Sequence, residues 1–62
     1  MNNQQIETLI LKGHKPADIA NYGQCSHLQV DRVYLKLIIK QSPNTQKAIT
    51  AQWALDNMSS NS

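Results

Sequence analysis

The chain has few of the features that stabilise small secreted domains or anchor membrane proteins. Cys25 is its single cysteine, which excludes a disulfide framework and a metal site built from paired cysteines. No apolar run approaches the ~20 residues that a membrane-spanning helix needs, and no secretory signal is recognisable. We therefore expect a protein of the reducing cytoplasm that has no contact with membranes.

Glycine and proline are also scarce, with two of each among 62 residues. These four residues, Gly13, Pro16, Gly23 and Pro43, separate apolar stretches and do not interrupt them. No run of alternating β-branched residues predicts a strand, and the apolar residues recur at helical spacing. The sequence thus predicts an all-α fold, in which a three-helix helix-turn-helix core is followed by a fourth, C-terminal helix.

The signals for helix ends predict one domain over residues 1–58, followed by a disordered polar tail over 59–62. Gly13 is suited to end the first helix, because glycine adopts left-handed backbone angles without steric cost. Ser26 is a good N-cap for the third helix, because its side chain can accept a hydrogen bond from a free backbone N–H group. The expected helices cover about 3–12, 16–22, 27–41 and 44–57.

Positive charge is sparse, since the formal net charge is +2 and Arg32 is the only arginine. The positions of the positive charges matter more than the net charge. Arg32, Lys36 and Lys40 recur every four residues on the third helix and therefore form one row along a single face. An ordinary solvated helix face would carry the same pattern, but this helix is the one that a helix-turn-helix presents to the major groove of DNA.

In such a unit, the N-terminal part of the exposed face reads base edges. Arg32 is suited to a bidentate contact with guanine, and Leu28 to contact with a thymine methyl group. Lys36 and Lys40 continue the row towards the flanking phosphates. The candidate DNA contacts are His27, Leu28, Asp31, Arg32, Lys36, Lys40, Lys15 and His14.

Several apolar residues lie outside the expected core stripe of the third helix, which consists of Val30, Val33, Tyr34, Leu37 and Ile38. Leu35 and Ile39 would be exposed to water in a three-helix unit, so we expect either the fourth helix or a second chain to pack against them. Ile49 and Trp53 lie four residues apart on one side of the fourth helix. They too would pack either inside the chain or against a second chain. Since so short a chain buries little surface on its own, we expect a homodimer with these four residues at its interface.

The sequence offers no machinery for catalysis. Cys25 and His27 are too close along the chain to form a good nucleophile pair, and His14 is a loop residue. No glycine-rich phosphate loop occurs, and no repeated histidine or cysteine spacing suggests zinc. We expect a protein that is not an enzyme and has no cofactor and no metal.

A run of twelve residues, Leu9–Ala20, resembles the first two helices of LuxR-type DNA-binding domains and is also similar to the DNA-binding tails of serine recombinases. The LuxR-type resemblance extends over roughly residues 5–58. It is carried further by Ser26, Val30, Leu37-Ile38, Lys40, Thr45-Gln46, Ala48-Ile49 and Ala54-Leu55. The resemblance implies a four-helix domain that binds double-stranded DNA and dimerises through its fourth helix.

The expected function is that of a small, sequence-specific transcription regulator, such as a repressor or a regulator encoded by a phage, plasmid or other mobile element. It would act as a dimer by occupying an inverted repeat, with half-sites about one helical turn apart. The alternative is an interaction module that uses the same scaffold to bind a larger regulator or a polymerase. The low net charge, Asp31 and the apolar face of Leu28, Leu35 and Ile39 favour that alternative.

Overall fold

A computed structural model describes the backbone of residues 1–60 and the side chains of residues 1–58. Four α-helices occupy most of that length, and the described residues contain no strand, as the all-α prediction requires. None of these helices is both long enough and apolar enough to cross a membrane. The helices are α1 (Asn3–Leu11), α2 (Pro16–Gly23), α3 (His27–Gln41) and α4 (Gln46–Ser60).

Local hydrogen bonds explain where the helices begin. The Asn2 side chain accepts from the Gln5 backbone N–H at 2.8 Å, and the Gln5 side chain accepts from the Asn2 N–H at 3.0 Å. This reciprocal pair is a capping box that satisfies two donors at the start of α1. Ser26 Oγ accepts from Gln29 N at 3.1 Å, and Pro16 opens α2. The N-cap predicted at Ser26 is therefore present.

The first two helices end differently from one another. After α1, Gly13 has a φ of 101° and donates its N–H to the carbonyl of Ile10 at 3.0 Å. After α2, Gln24 takes the left-handed conformation, with a φ of 53°, while Gly23 is still helical. The second helix thus runs one residue beyond its expected end at 22. The turn that leads into α3 is therefore made by Gln24 and not by a glycine.

Substitution of the two glycines by alanine should separate these roles. Gly13→Ala is expected to lower the free energy of unfolding by about 1–2 kcal/mol, because open space surrounds the site but its positive φ strains an L residue. Gly23→Ala should stay within about 1 kcal/mol of the original protein, since alanine favours the helix and the new Cβ meets the flexible end of Met1. Urea denaturation followed by circular dichroism measures both, and equal losses would contradict this account.

The fourth helix is shifted from its expected bounds of 44–57. Thr45 Oγ1 accepts from Ala48 N at 3.2 Å and donates to the carbonyl of Ser42 at 2.8 Å, so the helix starts after Thr45. At the other end it continues to Ser60, because neither glycine nor proline follows Met58. Residues 59 and 60, expected in a disordered tail, are therefore helical. Residues 61 and 62 lie outside the described part of the chain.

The main core lies where α1, α2 and α3 meet. Ile6 and Val30 are fully buried at its centre. Around them lie Ile19, Ala20, Val33, Leu9, Ile10 and Cys25. Of the stripe expected on the third helix, Leu37 is also buried, whereas Ile38 is half-buried and Tyr34 is 39% exposed.

The fourth helix packs on α3 alone among the described helices. Its buried residues are Ala48 and Ala51, whose small side chains allow the two helix backbones to approach closely. As a result α3 is the central helix, with α1 and α2 on one side and α4 on another. The molecule is a flat body of 30 × 27 × 16 Å.

Candidate nucleic-acid interface

The side of α3 that faces α4 carries the apolar residues Leu35 and Ile39. Both are half-buried. Leu35 lines a cavity with Thr50 and Ala51 of α4, and Ile39 lines another with Leu55. The fourth helix of the same chain, one of the two alternatives that the sequence left open, therefore covers part of Leu35 and Ile39.

Ile49 and Trp53 lie on the opposite side of α4, away from α3. Ile49 is 60% exposed and Trp53 is 75% exposed. The four residues expected at a dimer interface therefore separate into two groups, one inside the chain and one on its surface. Only the second group is free to contact another molecule with most of its side-chain area.

The row of Arg32, Lys36 and Lys40 lies in a furrow along α3, between α1 and α4. Three adjoining cavities along it share Lys36, and the one between α3 and α4 has a volume of about 450 Å³. Arg32 is half-buried there, whereas Lys36 and Lys40 are exposed. The walls of this basic furrow include Asn3, Glu7, Gln52 and Asp56.

The furrow carries net positive charge. Its three basic side chains face two carboxylates, those of Glu7 and Asp56. Lys40 Nζ lies 3.7 Å from Glu7 Oε1, but the lysine side chain is 77% exposed, so this ion pair is weak and screened by water. Asp56 Oδ1 accepts a hydrogen bond from Gln52 Nε2 at 3.0 Å. The acidic groups thus lie in the walls that flank the row, while Lys36 and Lys40 are exposed.

Gln29 extends the furrow by one turn and was missed by the sequence analysis. Its Nε2 donates to Asn3 Oδ1 at 3.1 Å and to the carbonyl of Met1 at 3.3 Å, which ties the start of α1 to the first turn of α3. Gln29 lies three residues before Arg32, so extension of the basic row toward the N-terminus would have found it. Its partners, Met1 and Asn3, lie far away in sequence and are brought to it by tertiary packing, so they have no local signal.

The N-terminal end of α3 presents the predicted base-reading residues unequally. His27 is exposed and Leu28 is 51% exposed, whereas Asp31 is half-buried. With Arg32, these side chains occupy the first two turns of the helix. That end of α3 follows the turn at Gln24, and His27 and Leu28 are its exposed candidate side chains.

His14 and Lys15, the other two predicted DNA contacts, are exposed in the connection between α1 and α2. Within the described structure, neither lines the basic furrow. The reason is geometric, because the furrow is walled by residues from the first two turns of α1, beginning at Asn3, whereas this connection follows its last residue. A nine-residue helix separates its two ends by roughly 13 Å.

Cys25 is half-buried beside the core, and its Sγ donates to the carbonyl of Ile19 at 3.8 Å. The described residues contain no group of three or more histidine, cysteine or acidic side chains arranged to hold a metal ion. The basic furrow and the adjoining end of α3 are therefore the site that we consider for function.

No protein-family model matches this chain, and neither a curated protein nor a solved structure matches it. The resemblance to LuxR-type domains accordingly stays a prediction from the residues.

Proposed function

We propose that this protein is a small, sequence-specific DNA-binding regulator that acts by occupying an operator, as a repressor or a regulator of a mobile element. The observation that carries the proposal is the row of Arg32, Lys36 and Lys40 on α3, the second helix of the α2–turn–α3 unit, in which both lysines are exposed. Cations in a row neutralise consecutive backbone phosphates, which is the main source of affinity for DNA. Such a regulator would work in the cytoplasm.

The first two turns of α3 are the part best suited to read bases. The major groove is about 12 Å wide, and one helix with its side chains is about 10–12 Å across. Because α4 lies along α3, the two helices together are too wide to enter the groove side by side. We infer that α3 enters with its N-terminal end first, so that His27, Leu28 and Arg32 meet base edges, while Asp31 would accept from a cytosine amino group.

Lys36 and Lys40 would then contact the phosphates along the rim of the groove. These contacts position the protein on the duplex but carry no sequence information. Arg32 differs from the two lysines, because its planar guanidinium can bind a guanine edge through two parallel hydrogen bonds.

We further propose that the active form is a homodimer that involves the outer side of α4. Ile49 and Trp53 are largely exposed there and lie one helical turn apart, so they form a contiguous apolar patch that a second chain could cover. A two-fold symmetric dimer would bind an inverted repeat whose half-sites are about one helical turn apart.

Selection from a pool of random double-stranded DNA at two salt concentrations tests the proposal, with the mass of the protein in solution measured alongside. We expect enrichment of an inverted repeat and an affinity that falls steeply as salt rises. No enrichment, or binding that is blind to sequence, would contradict the proposal.

A second candidate is the interaction module on the same scaffold, which would bind a larger regulator or a polymerase. It is favoured by the exposed aromatic side chains, since Tyr22 on α2 is 90% exposed and Trp53 is 75% exposed. The same selection separates the two functions, because an interaction module would enrich no DNA sequence. Leu35 and Ile39 are half-buried, so Tyr22 and Trp53 would be the residues to substitute in that case.

A further inference from the structure

Gln29 is held both by its backbone and by its side chain. The backbone N–H donates to Ser26 Oγ at 3.1 Å. The side-chain Nε2 donates to Asn3 Oδ1 at 3.1 Å and to the carbonyl of Met1 at 3.3 Å, which accounts for both of its hydrogens. Gln29 is half-buried in this position. Its amide group is therefore oriented before any ligand binds.

The carbonyl of Met1 decides which end of the Gln29 amide faces it. The two ends of a glutamine amide have nearly the same shape, but only the nitrogen can donate a hydrogen bond. A backbone carbonyl can only accept, so a flipped amide would place two acceptor oxygens against each other. The nitrogen therefore faces Met1 and Asn3, and Oε1 is the end of the amide that is left for another partner.

Oε1 of Gln29 is available to a donor from outside the chain. Within the described part of the chain it accepts no hydrogen bond, and no buried polar side-chain atom there lacks a partner, so Oε1 is exposed to water. Gln29 lines one cavity of the basic furrow together with Arg32 and Lys36. Arginine and lysine side chains can only donate hydrogen bonds. The furrow thus offers one oriented acceptor beside its row of cationic donors.

We propose that Gln29 is a further specificity-determining residue, whose Oε1 accepts a hydrogen bond from the exocyclic amino group of a base in the major groove. This inference rests on the proposed function, because it adds a base contact to the same DNA-binding helix. Adenine N6 and cytosine N4 are the amino donors of that groove, whereas guanine and thymine present acceptors there. Gln29 therefore selects adenine or cytosine at one position of each half-site.

A glutamine without these partners would read DNA differently. An unrestrained amide binds adenine through two hydrogen bonds, in which Nε2 donates to N7 and Oε1 accepts from the N6 amino group. Nε2 of Gln29 already donates both hydrogens within the chain, so its preference includes cytosine as well as adenine. The oriented side chain also loses little entropy on binding. Asn3 is a positioning residue, because it acts through Gln29 and needs no contact with DNA.

The alternative is that these hydrogen bonds only tie the start of α1 to α3. Loss of such a tie would lower the stability of the fold and weaken binding to every DNA sequence alike. It would not change the ratio of the affinities for two operators that differ at one base pair. That ratio therefore separates a base contact from a structural tie.

Operators that differ at single base pairs test the inference on the full chain. The operator selected from random DNA is changed to each of the four bases at one position at a time, and fluorescence anisotropy gives the dissociation constants. We expect one position in each half-site at which adenine and cytosine bind about three- to tenfold more tightly than guanine and thymine. Gln29→Met removes Oε1 at nearly the same side-chain length and should reduce this ratio to below about twofold, while the guanine preference assigned to Arg32 remains.

Variants of α1 separate the orientation of Gln29 from the stability of the helix. Asn3→Ala frees one hydrogen of Nε2, so the preference should narrow towards adenine. Asn3→Asp keeps an acceptor in the same place and should retain the preference for both amino bases, although its negative charge weakens binding to all sequences alike. The matched control is Gln5→Ala, which removes half of the capping box without touching Gln29 and should leave the ratio unchanged.

Each contrary result has its own meaning. If an operator is selected but no position prefers adenine and cytosine, or if Gln29→Met keeps that preference, the inference is wrong and the proposed function stands. An equal loss of the ratio in Gln5→Ala would also overturn the inference, because the ratio would then follow the stability of α1. If no operator is selected at all, the proposed function fails, and Gln29 only ties α1 to α3.

Discussion

Reversal of the charges at Arg32 and Lys36 together should raise the dissociation constant for operator DNA by about 100-fold or more. Loss of a bidentate arginine–guanine contact costs about 1–3 kcal/mol, and each tenfold change in affinity corresponds to 1.4 kcal/mol. Glutamate at either position also repels the phosphates that lysine or arginine would attract. Fluorescence anisotropy with the selected operator at two salt concentrations measures the effect.

The comparison of two single variants shows whether the position or the net charge causes the loss. Lys36→Glu and Lys12→Glu change the net charge equally, but Lys12 caps the C-terminal end of α1 and lies outside the basic furrow. We expect a strong effect for Lys36→Glu and a small one for Lys12→Glu. Equal effects would mean that the affinity follows net charge alone. Unchanged affinity in the Arg32→Glu, Lys36→Glu protein would exclude the furrow as the DNA site.

Lys40→Ala should change the salt dependence of DNA binding and leave sequence preference unchanged. If Lys40 contacts one phosphate, its removal should lower the slope of log affinity against log salt by about 0.9 and weaken all DNA sequences equally. The weak ion pair with Glu7 would be lost as well, at little cost to stability because both partners are exposed to water. A loss of sequence preference would instead identify Lys40 as a base-reading residue.

Much of the helical architecture could be predicted because its signals are local. The bounds of the third helix, 27–41, agree with the structure, since Ser26 caps its start and Pro43 prevents it from continuing. The first helix was expected one residue too long, at 3–12, because Lys12 is its C-cap and Gly13 makes the turn. Each of these features depends on side-chain and backbone chemistry within about four residues.

The packing of α4 could not be predicted, because the sequence left open whether its large apolar residues pack inside the chain or against a second chain. In the structure, Ala48 and Ala51 are buried against α3, whereas Ile49 and Trp53 face outward. Both sides of α4 carry apolar residues at helical spacing, so periodicity alone does not select one. Close approach of two backbones needs small side chains, and that requirement decides which side packs.

The candidate site was predictable as a row but not as a furrow. Spacing of four residues along one helix suffices to bring Arg32, Lys36 and Lys40 together. The walls come from residues far away in sequence, such as Asn3 and Gln52, and depend on where α1 and α4 pack. For the same reason, the exposed loop residues His14 and Lys15 could not be separated from the site by sequence reasoning.

Ile6→Ala should unfold a large fraction of the protein. Ile6 is fully buried where α1 meets α2 and α3, and truncation of a buried isoleucine to alanine costs about 2–5 kcal/mol. A domain of this length has a total stability of only about 3–9 kcal/mol. We expect the midpoint of thermal unfolding, followed by circular dichroism, to fall by roughly 10–30 °C.

The matched control is Ile49→Ala, which removes the same atoms from the exposed side of α4. In dilute protein it should change the free energy of unfolding by less than about 0.5 kcal/mol, because the side chain is 60% exposed there. At high protein concentration its cost should grow, since the original chain would then be stabilised by the proposed dimerisation through the outer side of α4. A loss below about 1 kcal/mol for Ile6→Ala would contradict the described core, because no cavity would then have formed at its centre.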